Sequence, residues 1–259
     1  MDFVTLISLI LAFGALIFAF IMEGGHLKAL FEVTAAVIVF GGTFGAVAMS
    51  FPGRNLKNIP RIIRKAFSNK KKDRAEILDT FMALSTTARR DGLLALEHEL
   101  EVRELDDLTK TGLRLVVDGA DEDVLKQILE TRVINMVHRH EKGIAIFEAA
   151  GGFAPTMGVL GTVMGLVHVL SDLSDPSALG GKIAVAFIAT LYGVASANLL
   201  FIPIANKLKE LNSDEVLACN MIIEAIQLLR TGSNPTFMRE QLKGYLEDED
   251  EGKTEEGEQ

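Results

Sequence analysis

Four long apolar runs constrain this 259-residue chain more than any other feature of its sequence. A helix needs about 20 mostly apolar residues to cross the hydrocarbon core of a bilayer. The runs that reach this length are Phe3 to Met22, Val33 to Phe51, Ala149 to Leu170 and Ile183 to Ile204. The first lacks a basic n-region and an Ala-x-Ala cleavage site, so it is interpreted as a membrane helix and not as a signal peptide. The sequence therefore predicts an all-α membrane protein with four transmembrane helices.

Lysine and arginine residues are distributed unevenly around these four runs. The stretch from Arg54 to Arg74 carries nine of them and one acid, whereas the link between the first two spans and the link between the last two carry almost no positive excess. Short basic connections stay on the cytoplasmic side of a membrane. We therefore expect residues 52 to 146 and 207 to 259 inside, with both termini cytoplasmic. Next to a membrane span, the basic run indicates contact with lipid headgroups and not with nucleic acid.

The sequence outside the spans has the periodicity of helices. Apolar residues recur at helical spacing from Ala75 to Arg90, Gly92 interrupts them, and a helix beginning at Asp121 has no break before the third span. The fourth span extends in the same way as far as Arg230. Two of the helices are thus expected to continue as long cytoplasmic stalks beside a small helical domain. The predicted parts are transmembrane helices 1 and 2 at 1–51, a cytoplasmic helical domain at 52–146, transmembrane helices 3 and 4 at 147–206, a cytoplasmic helical extension at 207–246 and an acidic disordered tail at 247–259.

Spans three and four contain no Asp, Glu, Lys or Arg. Charged side chains inside a membrane are costly and are kept where ion or proton movement needs them. Either this chain conducts nothing, or another chain supplies the titrating group. The sequence also lacks the P-loop, HExxH and CxxC motifs, and it has a single cysteine, Cys219. We therefore expect no enzyme, no catalytic residue and no bound metal or cofactor.

Small residues form a stripe along each of the last two spans. The stripes are Ala154, Gly158, Thr162 and Gly165 in span three, and Ala186, Thr190, Gly193 and Ala197 in span four. Stripes of this kind let membrane helices approach each other closely. From the residues alone, packing within this chain and the approach of a helix from another chain explain the stripes equally well.

Two threonines on these stripes are expected at one depth in the membrane. Thr162 is eight residues inside the outer end of span three, and Thr190 is about as far inside span four, so each lies roughly 12 Å from the outer surface. Their hydroxyls could serve an ion, or each could bond the carbonyl four residues earlier in its own helix. Pro155 and Pro203, in the inner halves of the same two helices, each remove a backbone donor and predict a kink or hinge.

Three segments, in this order and beside four spans, resemble the MotA/PomA family of flagellar motor stator proteins. They are ARRDGLLALE at residues 88–97, PTMGVLGTVMGLVHVL in span three and AVAFIATLYGVASANLLFIPIANKL through span four. The resemblance covers almost the whole chain up to the acidic tail. An energising membrane subunit of the ExbB/TolQ kind is the alternative, although such proteins have three spans and lack ARRDG. A structural membrane protein without ion flux is a third possibility.

The resemblance implies a stator subunit that forms a homopentamer around a MotB/PomB dimer in the bacterial inner membrane. The partner's aspartate would bind the transported ion, H⁺ or Na⁺, and the complex would convert the ion gradient into torque. Thr162 and Thr190 match positions that line the ion path, and Pro155 and Pro203 match the two prolines that couple ion passage to movement. Four further small residues of the two stripes are then expected to face the partner's helix. These partner-facing residues are Gly158, Gly165, Ala186 and Gly193.

The resemblance also assigns roles outside the membrane and favours one ion. Arg89 and Glu97 match an arginine and a glutamate that meet charged residues of the rotor switch protein FliG. Arg90, on a continuous helix, would share a face with Glu97; an exposed salt-bridged face of little energetic value is the alternative. Threonine at position 162 is typical of sodium-driven members, whereas Thr190 occurs in both kinds, so we expect sodium slightly more than protons.

Overall fold

The computed structural model describes residues 3–68, 73–171 and 176–246, with the backbone alone at 176–178. Over these ranges every regular element is a helix, which confirms the all-α prediction. The helices, in chain order, are α1 (Phe3–Met22), α2 (Val33–Ala36), α3 (Gly42–Ser50), α4 (Gly53–Leu56), α5 (Ile59–Ala66), α6 (Arg74–Asp91), α7 (Leu96–Val102), α8 (Asp107–Val117), α9 (Glu122–Ser171), α10 (Pro176–Ser196), α11 (Ile202–Arg230) and α12 (Pro235–Lys243). The predicted tail at 247–259 lies outside the described residues.

Four helical segments are long and apolar enough to cross a membrane, as predicted. They are Phe3–Met22, Leu27–Ser50, Glu122–Ser171 and Leu179–Arg230. The last two are much longer than a bilayer requires, because helix α9 continues into span three without a break and α11 continues beyond span four. Two of the spans contain a π-helical turn, at Val37–Gly41 between α2 and α3 and at Ala197–Phe201 between α10 and α11. The sequence pattern did not predict these turns.

The chain divides into two compact units. The first, here called the membrane unit, comprises Met1–Asn69 and His140–Glu210, and the second unit comprises Lys70–Arg139 and Leu211–Gln259. The predicted domain boundary after residue 51 therefore differs from the division in the structure. The reason is packing: partly buried Ile62 and buried Ala66, on helix α5, join the same apolar cluster as Phe147 of α9. The cytoplasmic location of residues 52–69 stays a prediction.

The core of the membrane unit is built on one face of the second span. Every fourth residue of that span is buried, namely Ala35, Val39, Thr43 and Val47. A stripe at this spacing lies along one side of a helix. Its N-terminal part packs against Ala189 of α10, and its C-terminal part joins the cluster that contains Ala154 of α9. The second span thus fixes α9 and α10 from one side.

The second unit has its own apolar core, made by α6, α7, α8, α12 and the parts of α9 and α11 that belong to it. Its helices begin with capping carboxylates: Asp73 accepts from the Ala75 N–H, and Asp106 accepts from the Leu108 N–H. Cys219 is buried in this core.

Helix α12 lies within the predicted cytoplasmic helical extension at 207–246, but the sequence pattern did not predict it as a helix separate from the one that ends at Arg230. It begins at an Asn234 cap whose side chain accepts from the Thr236 N–H, followed by Pro235 in the first turn. Met238 and Leu242, four residues apart, are fully buried. The Asn-Pro pair and this spacing were the signals that could have found it.

Candidate functional site

Helices α9 and α10 approach each other backbone to backbone. A Cβ atom added to Gly158 would lie 2.8 Å from the Ala189 carbonyl oxygen and 3.1 Å from Thr190 Cα. A Cβ added to Gly193 would run into the Ala154 carbonyl oxygen and lie 3.0 Å from Gly158 Cα. Glycine is therefore required at both positions, because any side chain there would have to displace backbone atoms.

The same close approach involves the small residues that are expected to face the partner's helix. Gly158, Ala186 and Gly193 are buried between helices of the same chain, and a Cβ on Gly165 would lie 2.6 Å from Ala186 Cβ. Packing within the bundle, the alternative that the sequence left open, accounts for these contacts. Contact of these residues with a partner's helix stays a prediction.

Thr162 and Thr190 meet at the seam between the two helices. Their Oγ1 atoms are 2.6 Å apart, and both side chains are half-buried. The prediction that the two hydroxyls lie at one level is confirmed. Because the glycines at 158 and 193 remove side-chain bulk, the helices come near enough for the hydroxyls to touch.

Backbone carbonyls complete this hydroxyl pair. Thr162 Oγ1 lies 2.9 Å from the Ala186 carbonyl oxygen in the opposite helix and 3.2 Å from the Gly158 carbonyl oxygen in its own. Thr190 Oγ1 lies 3.5 Å from the same Gly158 oxygen. A hydroxyl has one proton and two lone pairs. If Thr190 donates to Thr162 and Thr162 donates to Ala186, both protons make short bonds and the Thr190 oxygen keeps its lone pairs for another ligand.

The region around Pro155 is in contact with the region around Pro203. Pro155 lies inside the continuous helix α9 and deprives the Gly151 carbonyl of its usual donor four residues later. A Cβ on Gly151 would lie 2.8 Å from Ile202 Cγ1 and 3.7 Å from Phe201 Cβ, and Ile202 immediately precedes Pro203. The two weakened stretches of backbone therefore pack against each other.

Pro203 itself is exposed and follows the π-helical turn Ala197–Phe201. The carbonyl that it leaves without a helical donor, that of Leu199, lies within this turn. π-helical turns occur frequently at functional sites. The predicted kink or hinge thus has a second irregularity beside it, although the hinge motion itself stays a prediction.

Tyr192, near Thr190 on α10, is not among the site residues predicted from the sequence. Its hydroxyl donates to the Leu30 carbonyl and accepts from the Glu32 N–H at 3.1 Å. Its ring stacks on Phe40, with centroids 6.1 Å apart. A tyrosine in an apolar span needs a partner for its hydroxyl, and this requirement was the available signal. Tyr192 fixes α10 to the start of the second span.

Arg89, Arg90 and Glu97 are exposed in the second unit, as a contact surface requires. The expectation that Arg90 and Glu97 share a face of one helix is wrong, because helix α6 ends at Asp91 and Gly92 adopts a φ of 85°. Arg90 instead bonds Asp91, with Nη2 to Oδ2 at 2.8 Å. This hydrogen bond lowers the pKa of the Asp91 carboxyl from its ordinary value. Among the described residues, Arg89 and Glu97 form no ion pair with each other.

Comparisons with known proteins agree with this geometry. A family model described as Motility protein A N-terminal matches residues 6–92, and one described as MotA/TolQ/ExbB proton channel family matches residues 101–221. The chain is 38% identical to Motility protein A of Bacillus subtilis over 248 residues, which cover 95% of this chain and 91% of that protein. It is 36% identical to the chemotaxis protein PomA of Vibrio alginolyticus, over 95% and 96% of the two chains.

Two solved structures have the same fold. The flagellar MotAB stator complex from Bacillus subtilis matches with a TM-score of 0.90 and 37% identity over 96% of this chain and 98% of the solved one. The C. jejuni MotAB structure matches with a TM-score of 0.91 and 27% identity, over 96% and 97%. The N-terminal family match, which reaches from the first span to Gly92, favours motility protein A over the ExbB/TolQ alternative. This chain belongs to the MotA/PomA family of flagellar motor stator proteins.

Proposed function

We propose that this chain is the membrane subunit of a flagellar stator, which conducts ions together with a MotB/PomB-like partner and converts the ion gradient into torque on the rotor. The observation that carries the proposal is the Thr162–Thr190 hydroxyl pair, 2.6 Å apart at the seam of α9 and α10, in a chain whose fold matches MotAB stator structures. A half-buried pair of hydroxyls on two apolar spans offers oxygen ligands to an ion that has lost part of its hydration.

The proposal assigns the titrating carboxylate to the partner. Spans three and four of this chain hold no acidic residue, so the hydroxyl and carbonyl oxygens here can line a path but cannot carry a proton by ionisation. An aspartate on the partner's helix, placed opposite Thr162 and Thr190, would supply that function. The partner therefore contacts the threonines, whereas the glycines behind them allow α9 and α10 to pack closely.

Torque requires that ion passage changes the arrangement of the helices that carry the threonines and prolines. In the proposal, loading and unloading of the partner's carboxylate moves α9 and α11 at Pro155 and Pro203. The contact of Gly151 with Phe201 and Ile202 supports this role, because a change at one proline is transmitted directly to the other. The exposed residues Arg89 and Glu97 then act on FliG, the rotor protein.

The remaining features follow the family. We propose a homopentamer in the bacterial inner membrane, with both termini cytoplasmic, supported by the nine basic residues between Arg54 and Arg74. We propose sodium as the coupling ion because residue 162 is a threonine, with protons as the alternative. No step of this function requires an enzymatic reaction.

The test is to co-express the chain with its MotB-like partner in cells that lack their own stators. We expect motility to return, and we expect deletion of the partner's plug segment to slow growth through ion leak. The matched control carries the same plug deletion together with replacement of the partner's ion-binding aspartate, which should abolish the leak. Absence of any leak, in both sodium and proton gradients, would overturn the conducting function.

A further inference from the structure

The membrane unit contains a cleft that the ion path does not use. It has a volume of about 380 Å³, and its walls come from α1, the end of α5 and the junction of α10 with α11. Residues that line it include Ser8, Ala12, Phe67, Leu200, Pro203 and Lys207. A volume of this size is within the range of small-molecule sites, so the cleft can take one chain-like ligand.

The residues that line the cleft favour an apolar ligand. Most of the lining side chains are aliphatic or aromatic, and Thr5, Ser8 and Asn198 add neutral polar atoms. Helix α1, which the structure describes completely, buries none of its side chains and packs against the π-helical turn Ala197–Phe201. Because α1 is long and apolar enough to be a membrane span, the cleft beside it lies at the depth of the hydrocarbon, where acyl chains are available as ligands.

One end of the cleft is basic. Lys207 belongs to the lining, and the lining residues Ala66 and Phe67 follow Arg64 and Lys65 of the last turn of α5 directly in the chain. No acidic side chain occurs among the lining residues that the structure describes. Cations close to a membrane surface attract anionic lipid headgroups. Apolar walls that end in a basic group match the two parts of an anionic phospholipid.

We propose that this cleft binds one anionic phospholipid, with an acyl chain between α1 and α11 and the phosphate at Lys207 and the end of α5. The assignment of this lipid to the cytoplasmic leaflet rests on the proposed orientation of the stator subunit. Leu199 and Leu200 of the π-helical turn line the cleft together with Pro203, so the acyl chain lies against the turn beside the proline at which α11 is proposed to move. The lipid is then part of the support for that turn.

The experiment uses the complex purified with its partner, stripped of lipid in detergent and titrated with phosphatidylglycerol or phosphatidylcholine under native mass spectrometry. We expect phosphatidylglycerol to reach half-occupancy at about fivefold lower concentration than phosphatidylcholine, and Lys207→Gln to abolish that preference. Ala12→Phe, which places a ring in the cleft, should remove the preferred lipid. A photoreactive phosphatidylglycerol should label peptides that contain Leu9 or Leu200.

Two matched variants control for general effects on lipid binding. Ala15→Phe adds the same ring to α1 outside the cleft lining, and Lys28→Gln removes a charge outside the cleft; both should keep the wild-type preference. Equal affinity for the two lipids, uniform labelling along α1, or a cross-link from this cleft to a second copy of the chain would overturn the proposal. None of these readouts requires ion flow or motility, so their failure is distinct from failure of the stator function.

Discussion

Gly193 of α10 lies directly against the backbone of Ala154 in α9, and the approach leaves no space for a methyl group. Ala154 precedes Pro155, so the tightest contact between the two spans is adjacent to one of the candidate hinges. The same approach holds the two threonine hydroxyls 2.6 Å apart. The ion-path candidate and the coupling candidate thus depend on one helix contact.

Gly193→Ala should disrupt this contact. The added methyl group meets a carbonyl oxygen of the backbone, which cannot rotate away, so we expect a loss of about 1–3 kcal/mol in stability. The measurement is the melting temperature of the purified complex in detergent, followed by motility. Gly181→Ala, in the same helix but with open space around its Cβ, is the control and should melt like the wild type. Equal melting of both variants would mean that α9 and α10 can separate without cost.

Thr162→Ala should weaken or remove the sodium dependence of motility. Loss of one oxygen ligand of the pair is expected to lower the affinity of the path for sodium about tenfold, so that speed rises less over the same range of sodium concentrations. Thr156→Ala is the matched control, because the Thr156 hydroxyl bonds the Phe153 carbonyl within α9 and does not reach α10. Swimming speed that follows the same sodium curve in wild type and Thr162→Ala would count against an ion-path role.

Arg89→Glu should impair torque while the complex still assembles. Arg89 is exposed, and reversal of its charge turns attraction to a rotor carboxylate into repulsion. Speed of tethered cells and the size of the purified complex are measured together. Arg132→Glu, an equal charge reversal at an exposed position in the second unit, should leave speed unchanged. Loss of assembly in Arg89→Glu would mean that Arg89 stabilises the complex and does not act on the rotor.

Tyr245 should ionise only at strongly alkaline pH. Its hydroxyl donates to Glu224 Oε2 at 2.6 Å, and this hydrogen bond raises the pKa of Tyr245 to about 12. Because the folded pKa is above the unfolded value of about 10, the bond stabilises the fold fully below pH 10. That contribution is lost as pH rises toward 12.

The difference in phenolate absorbance between wild type and Tyr245→Phe isolates this residue. A midpoint about 2 units above that of a free tyrosine is expected. At neutral pH, the variant should lose about 1 kcal/mol of stability. Titration of Tyr245 with an ordinary midpoint would show that the bond to Glu224 does not persist in solution.

The four spans and the continuous helices into and beyond them could be predicted from sequence, because length and apolar periodicity decide both. Matching depth also placed Thr162 and Thr190 together correctly. Which helix the glycines contact could not be predicted. A stripe of small residues indicates that another helix approaches closely, but Gly158 and Gly193 do not identify that helix.

Local geometry accounts for the remaining differences. A helix face shared by Arg90 and Glu97 requires one continuous helix through both residues. Gly92 adopts a positive φ, and α6 ends before it. The π-helical turn before Pro203 could not be predicted, because no residue pattern in the sequence marks such a turn; the turn at Val37–Gly41 has no proline near it.

Rotation of tethered cells, recorded while each gradient is collapsed separately, tests the central claim most directly. Cells that carry only this chain and its partner as stator are measured at fixed proton-motive force while external sodium is lowered, and then at fixed sodium with a protonophore. We predict that rotation slows with falling sodium and stops when the sodium gradient is gone. Rotation that persists both without a sodium gradient and in the presence of the protonophore would contradict an ion-driven stator.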